Sequence, residues 1–102
     1  MKFGILPAAE LDAALAAAWY DDQRAGLGDE FLTAFSDAYN LISSTPQALP
    51  TAEGYLGRQN VRRYRLKRFP YVVSFLCRQD EVLVVAVSHT RRHPSYWLER
   101  LN

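Results

Sequence analysis

Six basic side chains fall within eleven positions: Arg58, Arg62, Arg63, Arg65, Lys67 and Arg68. No acid occurs from Gly54 to Gln79, and two apolar runs lead on to Ser88-His89-Thr90-Arg91-Arg92-His93-Pro94-Ser95-Tyr96-Trp97. Arginine and lysine at this density neutralise anions, either nucleic-acid phosphates or the carboxylates of an acidic protein segment; the alternative is a solvated strand face. His89 could move a proton or cap a strand end. Tyr96 and Trp97 could stack on a base, or Trp97 could staple the tail to the sheet. His89 and His93 have metal-ligand spacing, but Pro94 follows and no third ligand is evident, so neither a metal nor any other cofactor is expected. Ser88 and His89 are neighbours on a strand and point to opposite faces, which excludes a nucleophile–base pair. Gly26-Leu27-Gly28 lacks the Gly-Lys-Ser/Thr of a phosphate-binding loop.

The net charge of +1 conceals an asymmetry. Residues 1–53 carry two Lys/Arg against eight Asp/Glu, a net of −6; residues 54–102 carry ten against three, a net of +7. A length of 102 residues fits one domain, residues 1–102, and 49% apolar with 13% aromatic content excludes disorder. No apolar run approaches a membrane span, and the start lacks signal-peptide features, so a cytoplasmic protein without membrane contact is expected. Cys77, the single cysteine, lies in an apolar run and reads as a packed thiol.

These groups must be positioned by an α+β fold. Lys2–Leu6 reads as a strand closed by Pro7. Ala8–Ala25 reads as a helix with Gly26 as its C′ glycine. Leu11, Ala14, Leu15, Ala18 and Trp19 are its expected buried stripe, and Asp12, Asp21, Asp22, Gln23 and Arg24 its solvent side. A second helix starts near Asp29 as N-cap and ends before Pro46, with Phe31, Ala34, Phe35, Ala38, Leu41 and Ile42 as its apolar face. Pro46–Gln59 is an irregular loop marked by Pro50, Gly54 and Gly57. A three-stranded antiparallel meander follows: Val61–Arg68, Tyr71–Arg78 and Val82–His89, with Gln79-Asp80-Glu81 as a tight turn. Phe69-Pro70 breaks the ladder between the first two strands. On the third strand, Val82, Val84 and Ala86 should oppose Leu83, Val85 and Val87. Strands apolar on both faces are covered on both, yet one helical hairpin covers one face. The C-terminal tail, a second copy or a partner segment must cover the other.

This order of elements resembles the RelE/ParE superfamily of bacterial type II toxins. The resemblance rests on Glu10-Leu11, Trp19-Tyr20, Gly26 to Phe31, Ile42 and Thr45-Pro46. It continues through Val61-Arg62-Arg63, Leu66, Arg68-Phe69-Pro70-Tyr71, Val73, Phe75 and Val84 to Val87, and ends with His89, Arg91, Arg92, Pro94 and Trp97. The long hairpin, the Arg-Phe-Pro-Tyr strand start and the His-x-x-Arg-x-Pro-x-Tyr-Trp tail look more like the ParE branch. That resemblance implies a growth-inhibiting toxin that acts on DNA gyrase and is silenced in a hetero-oligomer with a cognate antitoxin whose flexible part wraps the toxin. Arg62, Arg63, Arg65, Arg68, Arg91, Arg92, Tyr96 and Trp97 would then be contact surface, and no side-chain chemistry is required. The RelE branch implies instead an endoribonuclease that cleaves mRNA on the ribosome. Arg63, Arg65, Lys67 and Arg91 or Arg92 would neutralise the phosphate there, and Tyr96 or His89 would move the proton. A non-toxic remnant that only binds antitoxin is the third reading.

Overall fold

A computed structural model describes residues 2–46, 49, 51, 59–78 and 80–101. Pro50, Gly54, Gly57, Arg58 and Gln79 lie outside the described residues. Along the chain run β1 (Lys2–Ile5), α1 (Pro7–Gln23), α2 (Leu27–Ser44), β2 (Val61–Arg65), β3 (Tyr71–Arg78), β4 (Glu81–His89) and a C-terminal 3-10 helix (Pro94–Leu101). The sheet order is β1-β4-β3-β2. The meander is antiparallel as expected, while β1 lies parallel to β4 and makes the sheet mixed.

Pro7 starts α1, where a missing N–H is harmless. The two helices meet so closely that a Cβ on Gly28 would lie 2.5 Å from the Ala17 carbonyl oxygen. The Gly28 N–H donates to Asp21 Oδ1 at 2.7 Å, so a carboxylate of α1 caps α2. Asp29 is therefore inside the first turn rather than the N-cap, and Gly26, at φ 90°, makes the reversal.

The face expected to be buried on α1 is the exposed one. Leu11, Leu15 and Trp19 are 57%, 61% and 56% exposed, and Ala14 and Ala18 are exposed with them. Ala9, Ala13, Ala16 and Ala17 are buried instead. Small side chains let α1 approach α2 and β4, where leucine and tryptophan would not fit. The α2 face follows expectation, with Phe31, Ala38 and Ile42 buried, except that Leu41 is 40% exposed. An aromatic cluster seals this core: Phe31 lies 5.3 Å from Phe69 and 5.1 Å from Tyr71 between ring centroids, and Tyr20 stacks on it at 5.5 Å.

β2 ends at Arg65, short of the expected Arg68, because Arg68 adopts φ 72° and turns the chain ahead of Phe69-Pro70. β4 carries a β-bulge: Ser74 pairs with Ala86 and Phe75 with Val84, leaving Val85 unpaired. The extra residue reverses the alternation beyond it. Val82, Val84 and Val87 face the helical hairpin, while Leu83, Val85 and Ala86 face away, so Ala86 and Val87 exchange the sides that alternation assigns them.

The second sheet face is covered by the chain's own tail. Trp97, wholly buried, packs with Val61, Leu76, Val85 and Ala86, with Leu98 and Leu101 around them. A clamp holds the tail down. Arg100 donates to both Asp12 oxygens at 2.7 and 3.2 Å and to the Val85 carbonyl at 3.0 Å, and Asp12 Oδ2 also accepts the Val87 N–H at 3.0 Å. Asp12, expected on the solvent side, thus ties α1 to the β4 bulge and the tail.

Candidate functional site

β2 distributes its basic groups over two surfaces. Arg63 and Arg65 pair across the ladder with Ser74 and Val72 and share the strand face of Val61, which faces the tail. Among the described residues, Arg63 Nε and Ser74 Oγ are buried there without a hydrogen-bond partner. Arg62 donates to the Leu49 carbonyl, and Tyr64 packs on the hairpin core. Lys67 and Arg68, beyond the strand end, join Tyr64 in a groove of about 510 Å³ against Glu30, Asp37 and Leu41 of α2. Lys67 is therefore parted from Arg63 and Arg65, with which strand alternation would align it. Arg68 is engaged by Glu30 at 2.6 Å, which Arg24 also approaches at 3.1 Å. Hydrogen bonds from Arg68 and then Arg24 hold the Glu30 carboxyl below its ordinary range.

The tail gathers a second group. His89 Nδ1 accepts the Arg91 N–H and His93 Nδ1 accepts the Ser95 N–H, both at 3.1 Å. That contact makes Nδ1 of His89 the acceptor and leaves Nε2 as the ring's donor. The Arg92 guanidinium carbon stands 3.6 Å from the Tyr96 ring centroid, and that of Arg100 stands 5.7 Å from it. Burial, and then the nearby Asp12, raise the Tyr96 hydroxyl above its ordinary range, making it a donor and a poor base at neutral pH. Trp97 is absent from this surface because its ring fills the core beneath it.

Between the tail and α1 lies a groove of about 230 Å³ that brings together His89, Arg92 and Tyr96 with Leu15, Trp19 and Tyr71. An adjoining hollow of about 350 Å³ shares Trp19, Tyr71 and His89 and adds Tyr20 and Pro70. Leu15, Trp19 and Tyr71 were not among the expected site residues. The signal that could have found Leu15 and Trp19 is the amphipathic ambiguity of α1, whose alanines alone can form the close-packed face. Arg91 and Arg92 are exposed and carry no ion pair among the described residues. Also among the described residues, no cluster of three His, Cys, Asp or Glu side chains could hold a metal ion, and no helix is long and apolar enough to cross a membrane.

A helical hairpin thus lies on one face of a four-stranded sheet that has a basic edge strand and a basic tail. The chain belongs to the ParE toxin family, described as the ParE toxin of the type II toxin–antitoxin system parDE, which it matches over residues 5–94. Among solved structures it resembles a chain of the chromosomal ParDE toxin–antitoxin system from P. aeruginosa. The TM-score is 0.65 at 17% identity, over 87% of this chain and 95% of that one, and this likeness is one of fold. Comparison with curated proteins gave no significant sequence match. The protein is thus the toxin component of a type II toxin–antitoxin system, and its family implies an antitoxin partner.

Proposed function

We propose that this toxin stops growth inside the bacterial cytoplasm by a ParE-like action on DNA gyrase, holding a cleaved gyrase–DNA complex through surface contact. The observation that carries the reading is the scatter of the groups cleavage chemistry would need. Lys67 and Arg68 face α2, Arg63 and Arg65 lie on the sheet, and His89 and Tyr96 lie in the tail groove. Among the described residues no hydrogen bond or ion pair joins Arg63 or Arg65 to His89 or Tyr96. A general acid and base must converge on one reacting atom, whereas a binding surface needs only charge and shape. The exposed Arg91 and Arg92 supply that charge.

Purified toxin added to gyrase and supercoiled plasmid is expected to accumulate cleaved DNA. The Arg91→Glu/Arg92→Glu variant should do so about tenfold less well, since charge reversal on a contact rim slows association. Undiminished supercoiling with no cleaved product would contradict the proposal. The ribonuclease reading keeps one support: Arg63 and Arg65 share the sheet face that the tail covers. It requires that Arg63→Ala with Arg91→Ala abolish ribosome-dependent mRNA cleavage while the fold survives.

A further inference from the structure

Four aromatic rings meet in the cleft between the tail and α1. Trp19, Tyr71, His89 and Tyr96 line the groove of about 230 Å³, and the first three continue into the adjoining hollow of about 350 Å³. Neighbouring rings steady two of the walls. Trp19 meets Tyr20 nearly at right angles with ring centroids 5.0 Å apart, and Tyr71 meets His89 at 5.4 Å and 73°. Contacts of this kind hold a ring in one orientation. Trp19 nevertheless stays 56% exposed, so much of its ring surface is open to a ligand.

The same cleft is arranged to hold an anion. The Arg92 guanidinium lies over the Tyr96 ring, its carbon 3.6 Å from the centroid. Stacking occupies the flat face of the guanidinium and leaves its edge of N–H donors free, and Arg92 forms no ion pair among the described residues. A fork held in this way matches two oxygens of a phosphate. In the same groove His89 keeps Nε2 as a donor. Charge alone would suit any anion. The rings around it narrow the class to an anion that carries a flat π face, and a nucleotide is that anion. A base paired inside a duplex has both faces covered, so only an unpaired base can enter. Asp12, the carboxylate of the groove, already accepts three hydrogen bonds from Arg100 and Val87. Little acceptor capacity therefore remains there to favour the 2′-hydroxyl of RNA.

We propose that this cleft binds an unpaired DNA nucleotide, its base stacked on Trp19 and its phosphate held by the Arg92 fork. The choice of DNA rests on the gyrase reading above, since a gyrase held with its DNA cleaved presents strand ends whose terminal bases have lost a stacking neighbour. The toxin would then grip the broken DNA itself as well as the enzyme, and the capture of a displaced base would oppose resealing.

The two tryptophans make the test direct, because Trp97 is wholly buried and only Trp19 can meet a base. Purified toxin, without gyrase, is titrated with a dye-labelled single-stranded oligodeoxynucleotide of about ten residues, within the usual span of a stacking site. Binding is followed by anisotropy of the dye and by quenching of tryptophan emission. Quenching is expected with the single strand, and the duplex of the same sequence should bind about tenfold more weakly. Trp19→Phe should remove the quenching while keeping most of the affinity, and Trp19→Ala should weaken binding about tenfold or more. Arg92→Ala should lower the slope of log affinity against log salt by about 0.7, the share of one phosphate on a single strand. Equal binding of single strand and duplex, unchanged by Trp19→Ala, would reduce the contact to charge alone and overturn the site. Absence of binding overturns it too and leaves the gyrase reading to its own cleavage assay. RNA of matching sequence bound more tightly than DNA would overturn the choice of DNA. Quenching by the single strand with no cleaved plasmid in the gyrase assay would uphold the site and remove the gyrase reading.

Discussion

Alanine in place of Trp97 is expected to lower the free energy of unfolding by about 3–5 kcal/mol, the range for removing a large aromatic from a core. The ring is wholly buried and is the largest member of the cluster formed by Val61, Leu76, Val85 and Ala86. None of its neighbours can fill the space, because strand backbone holds them in a fixed register on one side. A domain of this size is stable by roughly 5–15 kcal/mol, so the loss is a large fraction of the whole. Urea unfolding followed by circular dichroism measures it directly. Trp97→Phe keeps most of the packing and should lose less than half as much. A loss for Trp97→Ala below about 1 kcal/mol, the scale of an ordinary surface substitution, would mean that the tail does not cover the sheet in solution.

Removing Asp12 is expected to cost about 2–4 kcal/mol, toward the lower side of the range for breaking a buried ion pair because both side chains keep some exposure, 13% and 19%. Asp12→Ala strands the Arg100 guanidinium beside the Val85 carbonyl and leaves the Val87 N–H without its acceptor. The hydrogen bond that Arg100 donates to Asp12 is the main cause that holds its pKa above the ordinary range, and a guanidinium stays charged even without it, so the arginine cannot escape by losing its proton. A double-mutant cycle with Arg100→Met separates the clamp from simple burial. The double variant should lose clearly less than the sum of the two single losses, because no orphaned charge remains. Additive losses would show that Asp12 and Arg100 act separately.

Asp12 also illustrates what a sequence conceals. As the first of three aspartates on α1 it reads as a solvated carboxylate, and its partner is 88 residues away in the chain. The α1 stripe fails for a related reason. The helix is apolar on two sides, and periodicity alone cannot tell which side the fold buries. The alanine side wins because two helices and a strand must come within contact distance there, a constraint visible only once Gly28 is seen against the Ala17 carbonyl. β3 was legible to the residue because apolar side chains on both faces and Pro70 at its entry leave one reading. β4 was legible in extent but not in facing, since nothing in a run of valines announces the bulge at Val85. The cover on the second sheet face could be narrowed to three candidates by counting apolar faces, and the tail proved to be the one. The basic strand was legible as charge, yet its split over two surfaces depends on the left-handed turn at Arg68.

The central claim is that this family member arrests growth through broken DNA. Bacteria induced to express the chain alone, carrying a DNA-damage-response reporter, test it most directly. Growth arrest with a rising reporter is the predicted result. Arrest with a flat reporter would contradict gyrase poisoning and favour mRNA cleavage at the ribosome, and unimpaired growth would leave a protein that binds its antitoxin without being toxic.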